Sequence, residues 1–148
     1  MADYITEGEG TTYMGERLNA DAWTAASSGD RVKAIKMATK IIDHLNYIDD
    51  LLVSTQVNQF PRTNQVAVPQ DIKDACAEMA LALLDGVDPE LEHENLYMTQ
   101  FSFVNAKIVY DRENPAPHIR SGVPSMIAWR LLSPYLRDPQ QIIVSRDS

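Results

Sequence analysis

Apolar residues recur at three- and four-residue spacing in two long stretches of the chain, and such spacing predicts amphipathic helices. The first stretch is "RVKAIKMATKIIDHLNYI" (31–48), where the basic residues fall mainly between the apolar positions. The second is "VPQDIKDACAEMALALLDG" (68–86), where Pro69 suits the beginning of a helix and Gly86 its end. The two apolar stripes are Val32, Ile35, Ala38, Ile41, Ile42, Leu45 and Ile48, and Ile72, Ala75, Cys76, Met79 and Leu83.

Weaker apolar spacing predicts a further helix near each end of the chain. One lies within residues 12–26 and ends at "SSGD" (27–30), where Asp30 or Ser28 can cap the next helix. The other occupies "SGVPSMIAWRLLSPYL" (121–136), and Pro134 can bend or end it. The inward-facing positions are Tyr13, Leu18, Ala22 and Trp23 in the first helix, and Val123, Ile127, Leu131 and Leu132 in the last.

Aromatic and β-branched residues cluster around a short Asn105-Ala106 turn, which predicts a β-hairpin over about residues 97–111. The sequence therefore predicts a mainly α fold, a small bundle of three to four helices with one β-hairpin, an extended loop and a C-terminal tail. We expect a single domain over residues 1–137, followed by an extended tail over residues 138–148.

Residues 49–68 have neither helical nor strand periodicity, and a loop of this length in a small domain is often functional. Its Phe60-Pro61-Arg62 motif combines an apolar anchor, a restricted φ and a planar guanidinium suited to carboxylates. Aromatic and arginine residues are enriched at interface hot spots, so the motif predicts contact with a partner or a neighbouring subunit. The alternative is that Phe60 packs under its own domain while Arg62 caps a helix end. The residues alone leave both interpretations open.

Ile142, Ile143 and Val144 form an isolated apolar triplet in the polar C-terminal tail. Such a β-prone triplet can add to a partner as an edge strand, or insert into it. The alternative is a disordered end, which is common at chain termini.

The charge of the chain limits the functions that it can have. Its 148 residues carry a net charge of −8, and only residues 31–40 are locally basic. Sequence-nonspecific DNA binding needs cations against phosphates, so this balance argues against it. The acids after the second long helix lack the spacing of a calcium loop, and a solvated face is expected there. These acids are Asp85, Asp88, Glu90, Glu92 and Glu94.

The sequence shows no constellation of catalytic or metal-binding residues. His44, His93 and His118 lie in separate segments without the spacing of a zinc-binding helix, and Cys76 falls in an apolar stripe, where an inert packed thiol is expected. Phosphate-binding and nucleophile motifs are lacking as well. We therefore expect no enzymatic activity, no cofactor and no metal. Without a long apolar run or a signal-peptide pattern, no membrane association is expected either.

Five segments stand out by their order and spacing: "YMGERLNADAWTAAS" (13–27), "AIKMATKIIDHL" (34–45), "QFPR" (59–62), "VPQDIKDACAEMALALL" (68–84) and "LLSPYL" (131–136). Together they resemble the head-to-tail adaptor proteins of tailed phages, also called head completion or neck connector proteins. The resemblance covers residues 11–136. Members of this family are often labelled DnaT-like single-stranded DNA-binding proteins.

The resemblance implies a structural virion protein of the particle's neck, present in the host cytoplasm during assembly. Such a protein forms a dodecameric ring beneath the portal protein, extends the DNA channel and binds the tail or the next neck protein. Genomic DNA passes through the ring without specific binding. The family's label leaves one alternative open, a single-stranded DNA-binding replication accessory protein that uses the basic residues 31–40.

Two sets of residues become candidates for a role in such a ring. We expect the first set to contact the portal or a neighbouring subunit, and the acidic set to face the channel, where carboxylates repel phosphate. The first set is Phe60, Pro61, Arg62, Ile142, Ile143 and Val144, and the second is Asp85, Asp88, Glu90, Glu92 and Glu94.

Overall fold

The computed structural model describes residues 2–96, 100–104, 106–109 and 115–137, and these are mainly helical, which confirms the predicted α class. The described residues form seven α-helices, more than the three to four predicted, because one predicted helix is divided in two and two short helices, α5 and α6, lie between the predicted ones. None of these helices is long and apolar enough to cross a membrane. In chain order the elements are α1 (Glu7–Gly15), α2 (Asp21–Ala25), α3 (Ser28–Asp43), α4 (Gln70–Leu84), α5 (Pro89–Asn95), β1 (Gln100–Phe103), β2 (Ala106–Val109), α6 (Pro117–Arg120), α7 (Met126–Leu132) and a 3-10 turn (Ser133–Tyr135).

The two helices with the strongest sequence patterns, α3 and α4, pack against each other at the centre of the core, and α7 packs on α4. Ile35 and Ile42 of α3 and Ile72 and Met79 of α4 are buried in this contact. Burial of each such side chain is worth about 1.5–3 kcal/mol relative to exposure, so the α3–α4 contact dominates the packing. Cys76 lies within it, and burial raises the pKa of its thiol to about 12, which agrees with the prediction of an inert thiol.

Helix α3 is shorter at its C-terminal end than the apolar spacing predicts, and a different residue caps it. The Oγ of Ser27 accepts a hydrogen bond from the backbone N–H of Asp30 at 3.2 Å, and the hydroxyl donates to the Asp30 carboxylate at 2.9 Å. Ser27 is therefore the N-cap, and the prediction of Asp30 or Ser28 in that role is wrong. The helix ends at Asp43, so Ile48 lies beyond it and is exposed, contrary to the predicted stripe.

The helix predicted over residues 12–26 is two helices, α1 and α2, separated by a turn. Asn19 adopts a φ of 58° in this turn, a left-handed conformation that asparagine tolerates better than most residues. A capping box between Thr6 and Glu9 begins α1 upstream of the predicted start. Leu18 lies in the turn and is 85% exposed, so the prediction that it faces inward is wrong.

A buried ion pair holds the turn between α1 and α2. Glu78 of α4 is buried and accepts hydrogen bonds from the Arg17 Nε at 2.7 Å and from the Tyr13 hydroxyl at 2.8 Å. The Arg17 guanidinium also donates to the backbone carbonyls of Leu18 at 2.6 Å and Asn19 at 3.2 Å. Because one guanidinium binds both α4 and the turn backbone, it fixes the point at which the chain leaves the helical path.

Trp23 of α2 is buried, as predicted, and packs against Gly10 of α1. A Cβ atom added at Gly10 would lie 2.6 Å from the Trp23 ring, closer than side chains approach. Glycine at this position therefore serves the close approach of α2 to α1.

The acidic segment after α4 contains helix α5, although its apolar spacing does not predict a helix. The Asp88 carboxylate accepts hydrogen bonds from the backbone N–H groups of Glu90 at 3.0 Å and Leu91 at 3.3 Å, so it is the N-cap. Pro89 follows at the first helical position, where its fixed φ suits a helix start. Local capping therefore outweighs the poor apolar pattern of this segment.

The helix predicted over residues 121–136 is restricted to α7. The Ser125 Oγ caps its start by accepting a backbone N–H at 3.2 Å, and Pro134 lies in the 3-10 turn that follows its end. Val123 and Leu132 are buried as predicted, whereas Ile127 is exposed, so its predicted inward position is wrong.

An antiparallel ladder joins β1 to β2 and pairs Gln100 with Val109 and Phe103 with Ala106. The ladder falls within the segment predicted as a hairpin, of which residues 97–99, 105 and 110–111 lie outside the described residues. Apart from β1 and β2, the described residues contain no strand. Because the ladder covers only part of the predicted segment, the full hairpin stays a prediction. The tail over residues 138–148 also lies outside the described residues.

Candidate interaction surface

The connector loop (residues 49–68), which joins α3 to α4, contains neither a helix nor a strand, as its lack of periodicity predicts. Its centre is Phe60, which is 3% exposed and lies in a cluster of tyrosine rings. The ring centroid of Phe60 lies 4.6 Å from Tyr47, 5.8 Å from Tyr135 and 6.2 Å from Tyr4, all in edge-on arrangements that favour aromatic pairs. Phe60 therefore packs under its own domain, as one of the two sequence interpretations has it.

Arg62 is 7% exposed and closes the connector loop upon itself. Its guanidinium lies 5.1 Å from the centroid of the Tyr47 ring, and burial lowers its pKa. The Nη2 atom donates to the Gln59 Oε1 at 2.8 Å and the Nη1 atom to the Asp49 carbonyl at 3.3 Å. Asp49 lies in the loop and not in a helix, so the suggestion that Arg62 caps a helix end is wrong.

The loop backbone is attached to the helical core through Asp43, the last residue of α3. The Asp43 Oδ1 accepts a hydrogen bond from the Gln59 backbone N–H at 3.0 Å and another from the Tyr4 hydroxyl. The Tyr4 hydroxyl oxygen in turn accepts from the Phe60 backbone N–H at 3.3 Å. Two loop amides are therefore fixed to the N-terminal segment and to α3, next to the Phe60-Pro61 bond, which is cis.

Further polar contacts fix the rest of the connector loop. The Gln56 side chain accepts from the Val53 backbone N–H at 3.0 Å and donates to the Pro61 carbonyl at 2.9 Å. The Leu52 N–H also donates to the Pro61 carbonyl, and the Thr63 N–H donates to the Asp50 carbonyl at 3.0 Å. These contacts hold the loop in place without regular secondary structure, although the buried Arg62 Nε and the Asp43 Oδ2 have no hydrogen-bond partner among the described residues.

Four large apolar side chains of this loop are exposed. Val57 is 70% exposed and Val66 is 99% exposed, and Leu52 and Val53 are exposed as well. Isolated exposed apolar residues are ordinary, whereas a contiguous group of them is typical of a binding surface. These four exposed residues of the loop are therefore candidates for such a surface. Phe60, Pro61 and Arg62 were candidates for a partner contact, but Phe60 and Arg62 are buried, and the exposed apolar residues are their neighbours in the loop. The sequence did contain a sign of this exposure. Valines in a segment without helical or strand periodicity do not belong to a predicted buried face.

The candidate acidic residues lie on one connected part of the chain, from the end of α4 through α5. Asp85, Asp88, Glu90 and Glu94 are exposed and Glu92 is half-buried. Asp88 has a structural role as the cap of α5, whereas the others leave their carboxylates near the surface. Their position relative to a channel stays a prediction. The tail candidates Ile142, Ile143 and Val144 lie outside the described residues.

The basic stretch over residues 31–40 is partly occupied by contacts within the chain. Arg31 donates to the Trp23 carbonyl at 2.8 Å and pairs with Glu7 at 3.3 Å, while Lys33 pairs with Asp30 at 3.2 Å. Trp23 is buried and cannot stack on a base. Within the described residues, no group of three or more His, Cys, Asp or Glu side chains is placed to hold a metal ion.

Alkaline pH is expected to unfold the tyrosine cluster around Phe60. Burial, and for Tyr4 also the hydrogen bond to Asp43, raises the pKa of Tyr4 and Tyr47 above the ordinary value of about 10. The folded state thus holds these protons more tightly, so its stability is fully present below about pH 10 and falls as the pH rises above it. Phenolate absorbance at alkaline pH should rise in two stages, the second coinciding with loss of helical circular dichroism. Titration of all six tyrosines before unfolding would contradict this.

Comparisons with protein-family models, with curated proteins and with solved structures found no match to this chain, so its fold and its exposed loop are the findings on which a function can be argued.

Proposed function

We propose that this chain is a structural virion protein, a head-to-tail adaptor that forms a ring beneath the portal of a tailed phage. The ring extends the DNA channel and binds the tail or the next neck protein, with no catalytic step. The observation that carries the proposal is the connector loop, which is fixed from inside by Phe60 and Arg62 and exposes apolar side chains at Val57 and Val66. The sequence resemblance of residues 11–136 supports the same role.

A fixed loop suits a subunit that must bind its neighbours repeatedly. Association has an entropic cost for every loop that becomes ordered, and a loop that is already ordered avoids it. A closed ring also needs two different complementary patches on each subunit, since its contacts are head-to-tail. The connector loop supplies one such patch. The hairpin around the exposed Val104 is a candidate second projection.

Phe60 and Arg62 act in this proposal as positioning residues, since their side chains are buried in the monomer. Their packing sets where Val57 and Val66 lie, and these exposed residues make the contact with the portal or the neighbouring subunit. The tail residues Ile142, Ile143 and Val144 remain candidates for a further contact.

The acidic set completes the proposal for the channel. Asp85, Glu90 and Glu94 are exposed near α5 and carry negative charge that repels a DNA backbone. A wall of this kind lets DNA slide through without binding. With Asp88 and Glu92, these residues line the channel in the assembled ring.

The alternative, binding of single-stranded DNA, receives no support from the side chains that the structure describes. That mode requires aromatic platforms beside a cationic groove. Trp23 is buried, Tyr13 is bound to Glu78, and Arg31 and Lys33 are paired with carboxylates.

Replacing Val57 and Val66 together by aspartate is expected to abolish binding to purified portal rings while leaving the fold intact. Both side chains are exposed, so charge there leaves the core unchanged but places unpaired carboxylates in an apolar contact. We expect an affinity loss of at least about 100-fold, measured by sedimentation with portal rings, and an unfolding free energy within about 0.5 kcal/mol of the parent.

Leu18→Asp is the matched control, because Leu18 is equally exposed but lies in the α1–α2 turn. It should bind portal rings as the parent does. Unchanged binding of the Val57→Asp, Val66→Asp variant would contradict the role of the connector loop. Tight binding of oligonucleotides with a steep salt dependence would instead favour the replication factor.

A further inference from the structure

A surface pocket of about 300 Å³ lies between α6, α7 and the segment that follows the 3-10 turn. It is called the arginine pocket below. Its lining includes the polar residues Arg120, Ser121, Ser133 and Arg137 and the largely apolar Trp129 and Leu136. The connector loop contributes no residue to this pocket, which is therefore separate from the surface that the proposed function uses.

The arginine pocket lies in a basic stretch of an acidic chain. The chain carries 21 acidic and 13 basic residues, yet residues 115–137 contain Arg120, Arg130 and Arg137 and no aspartate or glutamate. No carboxylate of the described residues lines the pocket, and neither of its two arginines forms an ion pair with a described residue. The pocket therefore has a net positive charge, which attracts anions.

The backbone around the pocket holds both arginines in position. The Arg137 backbone N–H donates to the Asn46 carbonyl at 3.1 Å, and the Arg137 Nε donates to the Tyr47 carbonyl at 3.0 Å. Arg120 is the last residue of α6, and the chain turns after it at Gly122, which has a φ of 73°. Two arginines from separate segments thus line one pocket, and the planar guanidinium group is suited to binding carboxylates.

The arginine pocket also offers apolar surface beside its cations. Trp129 and Leu136 are half-buried, and the Ser133 hydroxyl donates to the Trp129 carbonyl at 2.6 Å, which fixes the end of α7. A carboxylate with an apolar neighbour matches this combination. A nucleic acid matches it less well, because its charged backbone extends beyond a small pocket and meets a chain with a net charge of −8.

We propose that the arginine pocket binds a carboxylate on an acidic segment of a partner protein, with an apolar neighbour of that carboxylate against Trp129. Arg120 and Arg137 donate charge-assisted hydrogen bonds to the carboxylate, which are stronger than neutral ones. Arginine and tryptophan are also the residue types that dominate interface hot spots. The site goes beyond the proposed function, since its chemistry does not depend on whether the chain is a virion subunit.

Indole NMR on the full chain tests this proposal at low ionic strength. The chain has two tryptophans, so two indole N–H signals are expected. The probe is the peptide acetyl-Glu-Leu-Glu-amide, and its neutral counterpart acetyl-Gln-Leu-Gln-amide is the control ligand. We expect the Trp129 signal to shift saturably with the acidic peptide alone, with a dissociation constant of about 1 mM. Trp23 is buried and bonded to Thr11, so its signal should not move.

A pair of arginine variants tests whether the pocket itself binds the peptide. Arg120→Gln should weaken binding at least about tenfold, because it removes a charged donor from the pocket. Arg130→Gln is the matched control, since it removes the same charge from the same basic stretch but Arg130 does not line the pocket. Both side chains are exposed, so neither substitution alters the core.

A saturable Trp129 shift that depends on Arg120 and not on Arg130 supports the proposal. The absence of a shift, or an equal shift with the neutral peptide, would overturn it. Equal weakening by the two variants would show general attraction to the basic stretch and would overturn it as well. A larger and steeply salt-dependent response to a single-stranded oligonucleotide would assign the pocket to nucleic acid instead.

Discussion

Replacing Phe60 by alanine is expected to lower the free energy of unfolding by about 4 kcal/mol, because a buried aromatic side chain leaves a cavity that its neighbours fill only partly. Phe60 is 3% exposed and contacts the rings of Tyr4, Tyr47 and Tyr135. These rings belong to the N-terminal segment, the segment that follows α3 and the C-terminal 3-10 turn. One substitution thus loosens three distant parts of the chain. Urea unfolding followed by circular dichroism measures the effect.

Val57→Ala is the control within the same loop. Val57 is largely exposed, so its truncation should change the unfolding free energy by no more than about 0.5 kcal/mol. The two substitutions separate anchoring from the proposed binding: Phe60→Ala is expected to lower stability, whereas Val57→Ala is expected to leave stability unchanged and, if the proposed function holds, to weaken portal affinity. A loss below about 1 kcal/mol for Phe60→Ala would mean that the connector loop is not held from its centre.

The central helices could be predicted from the sequence because the buried positions of a helix recur at regular three- and four-residue spacing. Ile35 and Ile72 recur with their neighbours at helical spacing, and both helices lie where the apolar stripes predict. The residues at which the helices begin and end were harder to predict, because a single capping side chain can determine each of them. Ser27 and Asp88 cap α3 and α5, and nothing in apolar periodicity distinguishes a capping carboxylate from a solvated one.

The conformation of the connector loop was predicted only in part, for a related reason. The Phe60-Pro61-Arg62 motif indicates a fixed loop, because proline and an aromatic residue in a long irregular segment favour one, and the loop is held in place. Its residues do not reveal which side faces the core. That choice depends on Tyr4 and Tyr47, which come from other parts of the chain.

Arg17→Ala is expected to lower the free energy of unfolding by about 3 kcal/mol, because it leaves the Glu78 carboxylate buried without its cation. Glu78 is 3% exposed, and Tyr13 would be its one remaining hydrogen-bond partner among the described residues. A charge in that position is costly even with one donor. Thermal and urea unfolding measure the loss, and hydrogen exchange in the α1–α2 turn should increase.

The Glu78→Gln background distinguishes loss of the ion pair from loss of packing. A neutral amide oxygen can still accept from Arg17 and Tyr13, so Arg17→Ala should cost only about 1 kcal/mol there. The difference of about 2 kcal/mol is the coupling energy of the pair. Equal costs in both backgrounds would mean that the aliphatic part of Arg17 stabilises the turn. A large coupling would instead assign the break between α1 and α2 to a single charge contact, because the same guanidinium binds both Glu78 and the Leu18 carbonyl.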